Sequence, residues 1–143
     1  MIKSLLLTAT LIAATTPALG APGHATIEGN WTNPKHSVTV RIARCGAALC
    51  GRVISANAHA RAKAAAGGTG RLVGTELMSD LRPAGAGEWR GSVFVPDRNV
   101  RADGTLRLVS PRTLEVEGCA LGGILCKSQQ WTRVASAGSS KRR

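Results

Sequence analysis

Residues 37–56 read Ser37-Val38-Thr39-Val40-Arg41-Ile42-Ala43-Arg44-Cys45-Gly46-Ala47-Ala48-Leu49-Cys50-Gly51-Arg52-Val53-Ile54-Ser55-Ala56. From Ser37 to Arg44 the pattern has a period of two. Val38, Val40 and Ile42 fall on one side, and Thr39, Arg41 and Ala43 on the other. Successive side chains of an extended chain point to opposite faces, so this is a strand with one buried face. Cys45 and Cys50 then bracket the turn-like Gly46-Ala47-Ala48-Leu49, and Cys50 to Ala56 returns as the hairpin partner. A tight hairpin holds such bracketing residues opposite each other, at the separation a disulfide needs.

The same patterning extends in both directions. Upstream, Thr26 to Thr32 carries Ile27, Gly29 and Trp31 on one parity, and Asn33-Pro34-Lys35-His36 is a turn. Downstream, Asn57 to Ala66 is Ala-rich and reads as a short helix or a loop, ended by Gly67-Gly68-Thr69-Gly70. Arg71 to Met78 reads as a strand and Arg82-Pro83-Ala84-Gly85-Ala86-Gly87 as a turn. Glu88 to Val95 alternates, with Trp89, Gly91, Val93 and Val95 against Arg90, Ser92 and Phe94; Pro96-Asp97-Arg98-Asn99 breaks it. A strand runs through Leu106 and Leu108, Ser110-Pro111-Arg112 is a turn, and Leu114 and Val116 alternate with Glu115 and Glu117 up to Cys119. Cys126 to Val134 is the last strand. About eight short strands with little helix imply an all-β sandwich or barrel. Successive hairpins favour a small up-and-down antiparallel barrel, which leaves no open edge to aggregate.

The chain begins Met1-Ile2-Lys3, followed by an apolar run from Leu5 to Ala14 and then Thr16-Pro17-Ala18-Leu19-Gly20-Ala21. A short basic segment, an apolar core of about ten residues and small residues at the end form a secretory signal peptide over residues 1–20, cut near Gly20. The apolar run is too short to cross about 30 Å of hydrocarbon, and no later segment is longer, so no transmembrane segment is expected after cleavage. The remainder divides into a barrel domain over residues 21–135 and a polar, basic tail over 136–143, expected to be disordered. The expected location is periplasmic or secreted. The four cysteines agree, because an even number in a short exported chain is the ordinary sign of disulfides. Four thiols allow three connectivities. The pairs Cys45–Cys50 and Cys119–Cys126 are favoured because each brackets a turn. Zinc and thiol redox sites prefer C-x-x-C spacing, which is absent.

The formal charge is +11, carried mostly by Arg. Such a balance suits nucleic acid, an anionic membrane surface or plain solubility. Single-strand binders pair a basic groove with stacking aromatics. Here only Trp31, Trp89, Phe94 and Trp131 are aromatic, and the two terminal Trp have structural places. Specific nucleic-acid binding is therefore not expected.

Gly29-Asn30-Trp31 opens the first strand and Trp131-Thr132-Arg133 lies on the last. This pairing resembles the lipocalin and calycin arrangement. The resemblance implies that Trp31 plugs one end of the barrel, with Gly29 before it, and that Arg133 packs across the indole. A guanidinium over an indole face is worth about 0.5–2 kcal/mol. The chain also resembles a family of small exported bacterial proteins labelled domain of unknown function 2147. The matching pieces are Gly29-x-Trp31, Cys45-Gly46-x-x-Leu49-Cys50-Gly51-Arg52, Gly85-x-Gly87-x-Trp89-x-Gly91, Gly118-Cys119 and Gln130-Trp131-Thr132-Arg133. Where that family commonly has an Asp- and Asn-Pro-bearing loop, Ala58 to Gly70 is an Ala/Gly stretch, and an aromatic usual after Pro96 is missing. The resemblance implies a lipocalin-like fold and brings no activity.

The residues offer little catalytic chemistry. His24, His36 and His59 lie in different segments, without metal-type partners at i+2 or i+4. Glu115 and Glu117 share a strand face, but with Leu114 and Val116 inward that face is in water. Asp80, Asp97 and Asp103 lie near turns, where Asp commonly bonds its own backbone. Ser92 lacks a G-x-S-x-G elbow, and the Gly67 to Gly70 run lacks the Lys-Ser/Thr of a phosphate loop. No nucleophile, base and oxyanion donor can be assembled, so neither an enzyme nor a cofactor or metal is expected. Two readings remain. The leading one is a non-catalytic binding module for a small apolar or anionic ligand. Eight strands leave room for side chains or one small ligand, with Val40, Ile42, Trp89 and Val93 lining the interior. The alternative is a cell-envelope interaction protein whose Arg-rich face (Arg41, Arg44, Arg90 and Arg107) meets anionic surfaces or acidic partners.

Overall fold

The structure, a computed structural model, describes residues 26–135. The signal segment, the basic tail and His24 lie outside them. Eight strands run in chain order: β1 (Gly29–Thr32), β2 (Val38–Cys45), β3 (Ala48–Ala56), β4 (Glu76–Gly85), β5 (Glu88–Val95), β6 (Val100–Ser110), β7 (Thr113–Ala120) and β8 (Leu125–Val134). Each pairs antiparallel with its sequence neighbour. The ring closes where β1 meets β8, through Asn30↔Val134, Trp31↔Arg133 and Thr32↔Thr132. The chain is thus an up-and-down barrel, as the run of hairpins implies.

Local chemistry sets the turns. Asn33 Oδ1 accepts from the backbone N–H of Ser37 (2.8 Å) and of Val38 (3.1 Å), which folds the β1–β2 turn. Disulfides join Cys45 to Cys50 across the β2–β3 turn and Cys119 to Cys126 across the β7–β8 turn. The Ala-rich segment forms a helix, α1 (Ala58–Ala66), because Asn57 caps it: its side chain accepts from the Ala60 N–H at 2.8 Å. Ala64 and Leu72, on α1 and the loop after it, are buried. Thr69 Oγ1 donates to the Pro96 carbonyl at 2.9 Å, and Lys63 pairs with Asp97 at 3.6 Å. These contacts hold the helix and loop against the β5–β6 turn, at one end of the barrel.

One segment departs from the expected pattern. Arg71 to Thr75 is turn and loop, and β4 runs through the Arg82-Pro83 expected to turn. The real turn is Ala86-Gly87. Proline lacks an N–H, so a strand proline must sit at an edge or bulge. Here the last β3–β4 pair is Leu49↔Leu81, so Pro83 lies beyond the reach of β3. On its other side the β4–β5 register shifts around it.

The interior is filled. Trp31, Val40, Ile42, Val53, Met78, Leu81, Leu106 and Leu114 are each at most 1% exposed, with Val93 and Trp131 beside them. An eight-stranded barrel is just wide enough for its own side chains to occupy. Among the described residues, no helix is long and apolar enough to cross a membrane.

Candidate functional site

Antiparallel connectivity brings the β2–β3, β4–β5 and β6–β7 turns, and the chain entering β1, to one end of the barrel. Trp31 closes it. Its ring is fully buried, and its Nε1 donates to the Ile27 carbonyl at 2.8 Å, so the indole leaves no polar atom unpaired. The Arg133 guanidinium carbon lies 4.3 Å from the ring centroid. The fork donates in three directions: Nε to the Pro111 carbonyl (2.9 Å), Nη1 to Glu28 (2.8 Å) and Nη2 to Thr26 (2.8 Å). It ties the β6–β7 turn to the chain before β1. Gly29 makes this possible on two counts. A Cβ there would lie 2.7 Å from Arg133 Nη1, and φ is +132°, a conformation other residues rarely adopt. Gly29, Trp31 and Arg133 therefore meet as one closure.

Beside this closure lies a depression of about 330 Å³. Its wall comes from one level of four consecutive strands. Arg44 on β2 stands opposite Leu49 on β3, Leu49 opposite Leu81 on β4, and Pro83 on β4 opposite Trp89 on β5. Residues paired across strands share a face, so Arg44, Leu49, Leu81, Pro83 and Trp89 all look into the space. Thr26, Glu28, Ala47 and Ala48 complete the lining. Arg44 is exposed, and among the described residues it has no ion pair within 4.0 Å. All eight acidic residues of the chain lie among those described; five are engaged with other cations, and of the remaining three Glu28 lines this same depression without coming within ion-pair distance of Arg44.

Of the four residues expected to line a cavity, only Trp89 does. Val40, Ile42 and Val93 belong to the packed core, because the barrel interior is closed by bulky side chains from both sides. The four arginines expected to share an outer face do not. Arg41 donates to Asn30 Oδ1 at 3.2 Å on the β1–β2 side. Arg44 turns into the depression. Arg90 and Arg107, on β5 and β6, three and four strands further round than β2, are paired with Glu88 (3.0 and 3.3 Å), and Arg107 also with Glu115 at 2.9 Å. Alternation separates inside from outside but says nothing of position around the ring.

The sequence reading missed Arg44, Leu49, Leu81 and Pro83 as a common wall. The clasp did not give the first pair away. The register is Cys45↔Ala48 and Ala43↔Cys50, so the two cysteines sit diagonally rather than directly opposite as expected. A register with Cys45 opposite Cys50 would have put Gly51, not Leu49, beside Arg44. Elsewhere, His36 lies in the β1–β2 turn and His59 on α1, both exposed. Glu117, Cys119 and Cys126 bring ligand-type atoms within 4.8 Å, but the two sulfurs are bonded to each other and offer no thiolate.

Eight antiparallel strands closed in chain order, sealed at one end by a Gly-x-Trp indole under a late arginine, define a lipocalin-like barrel. The chain belongs to the family labelled domain of unknown function 2147. That family's model, described as "Uncharacterized protein conserved in bacteria", matches residues 29–133. Among solved structures the chain is similar to "Protein HP1028 from the human pathogen Helicobacter pylori", described as belonging to the lipocalin family. The TM-score is 0.61 at 15% identity, covering 79% of this chain and 86% of that one. At that identity the likeness speaks to the fold. Among proteins with curated descriptions, none matches the sequence.

Proposed function

We propose that the protein is an exported, non-catalytic binding module that takes one small ligand with an apolar body and an anionic group. The ligand site is the depression beside Trp89. The observation that carries this reading is Arg44, a guanidinium without an acidic partner, at the rim of a wall made by Leu49, Leu81, Pro83 and Trp89. A charged donor over apolar surface suits an amphipathic anion, with the head on the guanidinium fork and the body on the accessible Leu49, Pro83 and Trp89, backed by buried Leu81. The volume lies at the low end of ligand sites, about 300–1,000 Å³, which fits a single small molecule. A lipocalin-like fold supports a binding role over catalysis. Two disulfides and the signal-like segment over residues 1–20, cut near Gly20, support passage to an oxidising compartment, the periplasm or beyond.

Decanoate and decanol, titrated against intrinsic fluorescence, test the site. Trp31 and Trp131 are buried, so half-buried Trp89 is the reporter. Decanoate should give a saturable change that disappears in Trp89→Phe. Arg44→Ala should weaken decanoate about tenfold or more, the worth of one bond to a charged group, and leave decanol unaffected. The reading fails if neither probe saturates, or if Arg44→Ala binds decanoate as tightly as the wild type.

A further inference from the structure

At the opposite end of the barrel, Ala120-Leu121-Gly122-Gly123-Ile124-Leu125 joins β7 to β8 without one polar side chain. Leu121 is 74% exposed, Ile124 86% and Leu125 53%, and Val100 at the start of β6 is 46% exposed at the same end. Single exposed apolar residues are ordinary, but a contiguous apolar tip is not. Two further features set it apart. Leu121 has φ +55°, the left-handed region where Gly or Asn is the usual occupant, so a large apolar side chain is kept at an exposed position its backbone disfavours. The Cys119–Cys126 disulfide clasps the base of the tip and limits its collapse onto the barrel.

The surrounding charge is positive. Lys35 in the β1–β2 turn, Arg61 on α1, Arg71, Arg98 in the β5–β6 turn, and Arg101 and Lys127 at the ends of β6 and β8 all belong to this end. Of the acids there, Asp97 is paired with Lys63 and Glu76 with Arg52, which leaves Asp103, in the same depression as Arg101, and Glu117, beside the Cys119–Cys126 disulfide, against six cations. Arg101 borders a depression of about 440 Å³ together with Val100 and Leu121, which puts a guanidinium directly beside the apolar tip.

We propose that this hairpin is an interfacial anchor for an anionic lipid surface: Leu121, Ile124 and Leu125 enter the boundary between headgroups and acyl chains, and the surrounding cations lie on lipid phosphates. Apolar burial flanked by basic side chains is the combination that holds peripheral proteins to anionic leaflets. A second copy of the chain is the poorer occupant. A two-fold contact through the tip would set Arg101 and Lys127, the cations beside it, against their own copies. The anchor is independent of the ligand site, which sits at the other end of the barrel.

Vesicle co-sedimentation tests it, using residues 21–143 with both disulfides intact, since every strand of the closed barrel lies within that span. The chain should bind vesicles of phosphatidylcholine with one-quarter phosphatidylglycerol, bind pure phosphatidylcholine far more weakly, and release from the anionic vesicles as salt rises. Leu121→Ser with Ile124→Ser should lower the partition coefficient about tenfold or more while the circular dichroism of the barrel is kept. In a separate variant, Ile124→Trp should add blue-shifted emission on anionic vesicles, quenched by brominated acyl chains. Equal binding by the double serine variant, or an unshifted Ile124→Trp, overturns the proposal. So does a vesicle-free dimer or complex with an acidic protein that the double serine variant abolishes, because the tip would then be a protein interface.

Discussion

Replacing Arg133 by Ala should be among the most damaging changes at any half-exposed position of this barrel. The guanidinium makes three hydrogen bonds of 2.8–2.9 Å to the carbonyls of Pro111, Glu28 and Thr26 and covers the Trp31 ring at 4.3 Å. A bond from a charged donor contributes about 1.5–3 kcal/mol when well shielded. Partial exposure brings each nearer 1 kcal/mol, and the indole contact adds about 1 kcal/mol. The expected loss is about 4 kcal/mol, read as a lower guanidinium chloride midpoint at unchanged slope, or as a fall in Tm of about 15 °C for a domain of this size. Arg133→Lys keeps the charge but not the planar fork, and should recover only a small part. The sharper assay is a double-mutant cycle with Gly29→Ala. In the wild type the new methyl meets both a strained φ of +132° and the guanidinium nitrogen at 2.7 Å. In the Arg133→Ala background only the backbone strain remains, so the two losses should fall short of additive by about 1 kcal/mol. If Arg133→Ala costs under about 1 kcal/mol, or the cycle is additive, the closure is not the keystone its geometry describes.

Two other perturbations follow from the packing. At Gly104, a Cβ would approach Val93 Cγ1 to 2.7 Å, so Gly104→Ala should cost about 1–3 kcal/mol by overpacking, and Val93→Ala in the same chain should return part of it; equal unfolding midpoints for the single and double variants would contradict this. Reducing the disulfides reopens loops with sequence separations of 5 and 7, and the chain-entropy treatment gives about 2 kcal/mol for each; urea unfolding with and without reductant measures it, and overlapping curves would show that the hairpins need no clasp.

What the residues disclosed by themselves was local. A period of two over Val38, Val40 and Ile42 requires an extended chain with one buried face, whatever lies above it. Cys45 and Cys50 could be paired because a short hairpin leaves them almost nowhere else to go. Gly29, Trp31 and Arg133 were readable as a group through the resemblance to the lipocalin closure, which implies an indole plug under a late arginine. The turn around Pro83 was misread for an equally local reason, since proline usually stops a strand.

The tertiary structure alone decided how these pieces align around the ring. Inward or outward is a matter of parity, and parity is written in the sequence. Height along the barrel axis and azimuth around it depend on the stagger of neighbouring strands, which long-range hydrogen bonds settle. That stagger carries β4 past the end of β3 and so admits Pro83. It also sets Arg44, Leu49, Leu81 and Trp89 at one level, and it spends Arg90 and Arg107 on Glu88 and Glu115. Whether the barrel is hollow was likewise beyond any local pattern. Filling depends on whether side chains from strands far apart in sequence meet across the axis, and here Trp31, Met78, Leu106 and Trp131 share one core.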